Sequence, residues 1–213
     1  MTVLITAGPT QEPIDPVRYL TNRSSGKMGY ALAGAAVSAG HDVILISGPV
    51  ALARPRGLKK FVAVKTADEM YDAVHAHTSR IDLAILCAAV ADFKVRSIRS
   101  RKIKKRGRTE MTLKLVATRD ILASLANRKN NFAVVGFAAE TNDVIKNARK
   151  KLREKNCDAI VSNDVSRINT GFASDHNAAT VLFRDGRAVK ISRARKSIVA
   201  KKLIALFAPK QKI

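Results

Sequence analysis

Tyr30-Ala-Leu-Ala-Gly-Ala-Ala-Val-Ser-Ala-Gly-His-Asp-Val-Ile-Leu-Ile-Ser47 is the stretch from which the architecture can be read. Tyr30–Ala39 is alanine-rich and free of proline, a good helix former, and Gly40 supplies a C-terminal stop. Val43–Ser47 is the next strand, closed by Gly48-Pro49. Upstream, Val3–Thr6 is a short apolar strand ending in the turn signal Ala7-Gly8-Pro9-Thr10. Pro13 and Pro16 prevent a long helix before Val17, and the polar loop Thr21–Gly29 leads into the helix. Downstream, Val62–Val64 reads as a strand, Ala67–Ala76 as a helix and Leu83–Ala88 as a fully buried strand. The same alternation continues through a short helix at Asp120–Asn127, a strand at Ala133–Gly136, a charged helix at Asn142–Lys155 and a strand at Ala159–Val161. Between them, Phe93–Lys114 reads as a basic run without regular structure, followed by an alternating segment at Met111–Leu115. Ala179–Phe183 and Ala188–Ile191 form a hairpin through Arg184-Asp185-Gly186-Arg187, and Ser197–Phe207 closes the chain as a helix. Strands alternating with helices predict an α/β fold with a mostly parallel sheet covered on both faces. No repeat or linker divides the chain, so residues 1–213 form one domain with a β-rich extension near 165–192.

Composition narrows the class. Hydrophobic residues make up 46% of the 213, ample for a core, and no apolar run approaches the roughly 20 residues needed to cross a bilayer. The amino-terminal residues lack the basic and apolar regions of a signal peptide, which predicts a cytoplasmic location. Cys87 and Cys157 sit in apolar segments without a CxxC spacing, and His41, His75, His77 and His176 are scattered, so no protein-built metal site is expected. The net charge of +22 admits two readings. One is a polyanion or nucleic-acid binding protein. The other is a general basic enrichment laid over a site for anionic small molecules. Aromatics are only 5%, too sparse for single-strand stacking platforms, which favours the second reading.

In an open α/β sheet ligands bind beyond the carboxyl ends of the strands. The loop Asn22–Gly29 resembles a phosphate cradle there, because small residues let backbone N–H groups approach an anion beside a helix N-terminus. Its glycine order matches neither a GxxxxGK[ST] loop nor a GxGxxG fingerprint. Asp92 follows a buried strand and could accept hydrogen bonds from a ribose or base, meet a metal, or serve as a helix cap or turn residue. Lys102-Ile-Lys-Lys105 is a solvated charge cluster or a flap closing over a polyphosphate. Lys151 and Lys155 are four apart and share one helix face.

Taken together, these segments resemble a known family. Ile5–Tyr19 and Thr21–Gly29 look like the opening signature of the phosphopantothenate–cysteine ligases (phosphopantothenoylcysteine synthetases) of coenzyme A biosynthesis. Ser47-Gly-Pro49, Ala88-Ala-Val-Ala-Asp-Phe93, Lys102-Ile-Lys-Lys105, Gly136-Phe-Ala-Ala-Glu-Thr141, Asn163-Asp164 and Gly171-Phe-Ala-Ser-Asp175 with Asn177 follow in the family's order. Thr118-Arg119-Asp120 departs from the Asn-Pro-Asp of many relatives, and Ser166-Arg167-Ile168 lacks a frequent proline.

The resemblance implies a modified Rossmann-like three-layer fold that binds a nucleotide without redox chemistry. It implies CTP with Mg²⁺ as the general bacterial choice, while eukaryotic relatives can use ATP. The substrates would be 4'-phosphopantothenate and L-cysteine, joined through an acyl nucleotidylate. By resemblance, Asn22 contacts the acyl group and Lys102 serves the reaction with cysteine and the nucleotide phosphates. Asp92, Phe137, Lys151, Lys155 and the Leu86–Ala88 backbone, Cys87 included, would hold the nucleotide. Ser24, Ser25, Gly26 and Lys27 would contact phosphate. It further implies a homodimer with 165–192 as its arm, and a free-standing ligase or a domain excised from a longer protein, with a separate flavin-dependent decarboxylase as a possible partner. No flavin, membrane or nucleic-acid partner is implied. A redox dehydrogenase is the rival on this fold, disfavoured by the glycine spacing after the first strand.

Overall fold

The structure, a computed structural model, describes residues 1–105, 107, 109–126, 131–140, 143–164 and 174–208. Its strands are β1 (Thr2–Ala7), β2 (Gln11–Pro13), β3 (Tyr19–Thr21), β4 (Asp42–Ser47), β5 (Lys60–Ala63), β6 (Leu83–Leu86), β7 (Phe93–Val95), β8 (Leu115–Ala117), β9 (Ala133–Glu140), β10 (Ala159–Asp164), β11 (His176–Phe183) and β12 (Ala188–Arg195). Its helices are α1 (Lys27–Ser38), α2 (Ala67–His75), α3 (Ile121–Ala126), α4 (Val144–Glu154) and α5 (Lys196–Phe207).

Six parallel strands stand in the order β5-β4-β1-β6-β9-β10. The chain therefore starts in the middle of the sheet, builds to one edge, and crosses back beside β1 to build the other, which is the doubly wound plan. Every residue of β6 and all but the first of β1 are buried, so neither strand can shift register without exposing apolar side chains. Val3, Ile5 and Ala7 face α1 and α5, whereas Leu4 faces the layer of α2, α3 and α4. The mostly parallel sheet with helices on both sides is thus present as expected. Thr66 and Glu69 form a reciprocal capping box that fixes the start of α2.

Four expectations need adjusting. The hairpin is no appendage: β11 pairs antiparallel with β10, and β12 with β11, so both continue the main sheet as its edge. Residues 165–173 of the expected arm lie outside the described residues. β6 stops at Leu86, where the chain turns into the loop at the sheet's carboxyl rim, while β9 runs on to Glu140 beside β10. The run after Asp92 is also not wholly irregular. Phe93–Val95 pairs with Leu115–Ala117, so of the alternating segment Met111–Leu115 only Leu115 joins a strand. Backbone pairing across a long excursion overrode the local alternation. β2–β3 forms a second small sheet, and both small sheets grow from chain leaving the carboxyl ends of β1 and β6.

Candidate active site

The crevice opens where β1 and β6 lie side by side but their connections depart in opposite directions. Its walls are drawn close by glycines. A Cβ on Gly48 would lie 1.8 Å from the Pro9 carbonyl oxygen, and one on Gly8, which has φ +74°, would meet the Gly48 oxygen at 2.9 Å. Backbone and threonine hydroxyls then join the β1 and β6 loops. The Ala89 N–H donates to the Gly8 oxygen at 2.9 Å and the Thr10 N–H to the Ala89 oxygen at 3.3 Å. Thr6 Oγ1 accepts from the Ala88 N–H at 3.1 Å, and Thr10 Oγ1 from the Ala91 N–H at 2.9 Å.

Above this floor is a cleft of about 500 Å³. Asn22, Ser24, Ser25, Gly26, Lys27, Leu86, Cys87, Ala88, Asp92, Phe137, Lys151 and Lys155, all expected on sequence grounds, line it together. Asn22 Nδ2 donates to the carbonyls of Ala89 and Val90, at 3.1 and 3.0 Å, which ties the cradle loop to the β6 loop. Gly26 takes φ +74° at the N-cap of α1. Gly29 lets the first turn of α1 lie against β1, since an added Cβ would fall 2.5 Å from Ala7 Cβ.

Lysines from both helical layers bracket the space. Lys151 Nζ donates to the Phe137 carbonyl at 3.2 Å, and Lys155 meets Asp120 Oδ2 at 2.5 Å. Asp120 hydrogen bonding to Lys155 holds the ammonium above lysine's ordinary range. Burial pushes the Asp120 carboxyl up, but the Ala123 N–H and Lys155 outweigh it and leave the group below its ordinary value. On the α1 side Lys27 pairs with Asp175 at 2.7 Å. Lys196, on the first turn of α5, is only 8% exposed, and its ammonium is held below the ordinary value by burial and by the Lys27 charge. Desolvation pushes the Cys87 thiol up to about 12 and the Cys157 thiol to about 11, so both are neutral at physiological pH.

Lys102 does not join this constellation; it is solvent-exposed and does not line the cleft. Its neighbour Ile103 is tethered instead. The Ile103 N–H donates to Asp15 Oδ2 at 3.0 Å, and Arg18 Nη2 donates to the Ile103 oxygen at 2.7 Å. Arg18 also forks onto Asp15, and this pairing, with the Ile103 N–H, holds the Asp15 carboxyl well below the usual carboxylate range. Thr6, Thr118, Arg119, Asn163, Asn177 and Lys196 line the cleft without having been expected there. Asn163 and Asn177 lay in the quoted motifs and could have been nominated. Lys196 carries no local signal, because only the packing of α5 on α1 brings it in. The departure at Thr118-Arg119-Asp120 keeps its local bonds: Thr118 Oγ1 donates to the Ala91 oxygen at 2.6 Å, and Asp120 Oδ1 accepts from the Ala123 N–H at 2.8 Å.

A doubly wound sheet with a basic, amide-lined crevice at its carboxyl rim defines a Rossmann-like α/β protein, with the crevice at the place where such sheets take their ligands. The sequence profile of one family, the DNA/pantothenate metabolism flavoprotein C-terminal domain, matches residues 1–209, and the chain belongs to that family. It is 52% identical over 184 residues to the coenzyme A biosynthesis bifunctional protein CoaBC of Bacillus subtilis (strain 168), covering 86% of this chain and 45% of that protein. Against CoaBC of Escherichia coli (strain K12) it is 46% identical over 207 residues, 96% of this chain and 50% of that one. The chain thus spans about half the length of these curated relatives. The crystal structure of a CoaBC C-terminal domain superposes with a TM-score of 0.82 at 40% identity, covering 96% of this chain and 92% of that one. The DNA/pantothenate metabolism flavoprotein from Streptococcus pneumoniae shares the fold, with a TM-score of 0.80 at 22% identity over 97% of both chains.

Proposed function

We propose that this chain is a phosphopantothenate–cysteine ligase that activates its acid substrate with CTP. The observation that carries the reading is the junction at Asn22, whose amide is clamped by the β6 loop beside the amino end of α1 within one cleft. A free carboxylate is a poor acyl donor at neutral pH. The carboxylate oxygen of 4'-phosphopantothenate attacks the α-phosphorus, the bond to the bridging oxygen breaks, and pyrophosphate leaves with the electron pair. The cysteine amine then attacks the acyl carbon, loses a proton, and displaces CMP. Splitting one hard acyl transfer into two easier steps is the general logic of covalent activation.

The residues divide this work. With Nδ2 given to two carbonyls, Asn22 keeps its amide oxygen as an acceptor beside the acyl group, where the incoming cysteine amine or a substrate N–H can donate to it, and the amino end of α1 presents backbone N–H groups to phosphate. Phe137 offers a partly exposed face to a flat base, and Lys151, Lys155 and Asp92 surround it with polar contacts. Lys102 reaches the cleft only if the tethered segment swings inward, so it acts in a closed state. Mg²⁺ fits this site as a companion of the phosphates. Among the described residues no cluster of three acidic, cysteine or histidine ligands exists, and Mg²⁺ is commonly held by one or two carboxylates plus substrate phosphates. When bound it neutralises phosphate charge, and Asp92 is the cleft carboxylate available to it.

The dimer belongs to the same proposal. Val17, Tyr19, Phe93, Ile98, Met111 and Leu115 are exposed on or beside the two small sheets, an apolar group suited to a second copy. A decarboxylase supplying the next step would be a further partner. No helix among the described residues is long and apolar enough to cross a membrane, and we propose a cytoplasmic setting.

The test incubates purified protein with Mg²⁺, phosphopantothenate and cysteine, with CTP or ATP in parallel. Pyrophosphate release that requires phosphopantothenate supports the ligase reading, and the faster nucleotide settles the choice. No release with either nucleotide would refute it and bring the polyanion-binding reading forward.

A further inference from the structure

Lys196 and Asn177 are both more than nine-tenths buried, and both line the cleft. Asn177 stands at the start of β11, where its Nδ2 faces only the thioether of Met28 at 3.7 Å. Its Oδ1 has no donor among the described residues. A thioether is a weak acceptor, so the amide loses little by turning over, and with Oδ1 laid against Met28 it leaves Nδ2 as a donor for an acceptor ligand such as a phosphate oxygen. A buried amide in that condition is costly unless something completes it.

Lys196 adds charge to the same wall. It stands beside the Lys27–Asp175 pair, with Arg195 and His176 near at hand, and its own N–H donates to the Asp175 oxygen at 2.8 Å. Two lysines, Lys27 and Lys196, line both the main cleft and an adjoining hollow bounded by Asp175, His176, Arg195 and Ser197. Placing a second ammonium in a desolvated wall next to the first is unfavourable for the empty protein, and an anion between them removes that repulsion. The Gly26–Gly29 turn that opens α1 borders the same space and contributes backbone donors and a favourable dipole.

We infer that Lys196 and Asn177 hold the pyrophosphate end of the nucleotide, on the α1–α5 side of the sheet, while Lys151 and Lys155 hold its remainder on the α4 side. The inference rests on the nucleotide-dependent reading above and goes beyond it by assigning the leaving group to a wall that includes α5. As the bond between the α-phosphorus and the bridging oxygen breaks, negative charge collects on the departing pyrophosphate. A desolvated ammonium stabilises that charge better than a solvated one.

The test compares wild type with Lys196→Met and Asn177→Leu by calorimetric titration with Mg²⁺–pyrophosphate, CTP and CMP, alongside thermal melts. Lys196→Met should weaken pyrophosphate and CTP by about tenfold to a hundredfold, as expected for a charge-assisted contact, and leave CMP unchanged. Asn177→Leu should weaken the same two ligands by about twofold to tenfold. Asn177→Leu should melt at or above wild type, because it removes a buried amide whose Oδ1 has no donor among the described residues, and a cooperative melt of Lys196→Met confirms that this variant is folded. Unchanged pyrophosphate and CTP affinity would overturn the inference, as would an equal loss for CMP, which marks a structural role. Amide formation by wild type is followed in parallel. If wild type makes no amide, the ligase reading falls, while the pyrophosphate comparison still decides the wall.

Discussion

Two glycines in α1 set up an internal comparison. Gly29 and Gly34 occupy the same helix, so replacing either by alanine brings the same local gain of about 0.8–1 kcal/mol in helix propensity. Their surroundings differ. An added Cβ at Gly34 meets nothing within 4 Å, but at Gly29 it meets Ala7 Cβ at 2.5 Å, Ala7 Cα at 3.0 Å and the Thr6 oxygen at 3.2 Å. Carbon atoms rest at about 3.5–4.0 Å, so the first turn of α1 must retreat from β1 by about 1 Å or more. Two of the three atoms are β1 backbone, which cannot turn aside, and overpacking of this kind costs about 1–3 kcal/mol. Gly29→Ala should therefore destabilise by up to about 2 kcal/mol net, lowering Tm by up to about 8 °C, while Gly34→Ala should raise it by about 2–4 °C. Retreat of the turn also carries the α1 N–H groups away from bound phosphate, so nucleotide KM should rise for Gly29→Ala and stay unchanged for Gly34→Ala. Circular-dichroism melts and initial rates of pyrophosphate release measure both. If Gly29→Ala melts at or above wild type with an unchanged KM, the close approach of α1 to β1 is not what places the phosphate cradle.

The remaining predictions concern charge. Asn22→Asp replaces the donor to the Ala89 and Val90 carbonyls with a carboxylate, and should cut pyrophosphate release by at least about tenfold; an undiminished rate would remove Asn22 from the chemistry. Lys102→Gln should retain nucleotide-dependent pyrophosphate release yet slow amide formation, since the residue lies outside the open cleft. Equal loss of both steps in single-turnover assays would contradict this. The Asp120–Lys155 pair fixes a pH window. The lowered carboxyl contributes stability above its unfolded value near pH 4, lost as pH falls through the folded value. The raised ammonium contributes below about pH 10.4, and that contribution is lost as pH rises through the folded value. The Tm difference between wild type and Asp120→Asn should thus be open between those limits and close beyond them; a difference independent of pH would mean the charges are not responsible.

Much of this was legible in the chain. The helix–strand alternation from Tyr30 to Ser47 and onward fixed the layered class, because parallel strands buried on both faces read as near-continuous apolar runs. The cradle loop, the β6 loop and the α4 lysines were nominated from motifs and meet in one cleft. What escaped depends on contacts between distant segments. β7 and β8 find each other across a long excursion, and the hairpin's union with β10 follows from sheet completion and not from its own alternation. Lys196 is one basic residue among many in a chain of net charge +22, and nothing local separates it from solvated neighbours. Lys102 shows the reverse case, a residue placed in the site by resemblance whose segment is held outside it by Asp15 and Arg18.

The crossed hydrogen bonds between the β1 and β6 loops have a mechanical consequence. Thr6, Gly8 and Thr10 on one side engage Ala88, Ala89 and Ala91 on the other, so the parting of the two strands leaves a seam and no gap. That seam behaves as a stiff plate: its amides should resist hydrogen exchange nearly as long as the central strands do, opening only with the domain. A ligand settling there freezes little that was loose, and the conformational entropy lost on binding falls elsewhere. It falls on the ligand's own rotors, because the described residues of the excursion between β7 and β8 are tied down as well, by the Arg99 N–H on the Ile14 oxygen, the Ile103 N–H on Asp15 and Arg18 on the Ile103 oxygen.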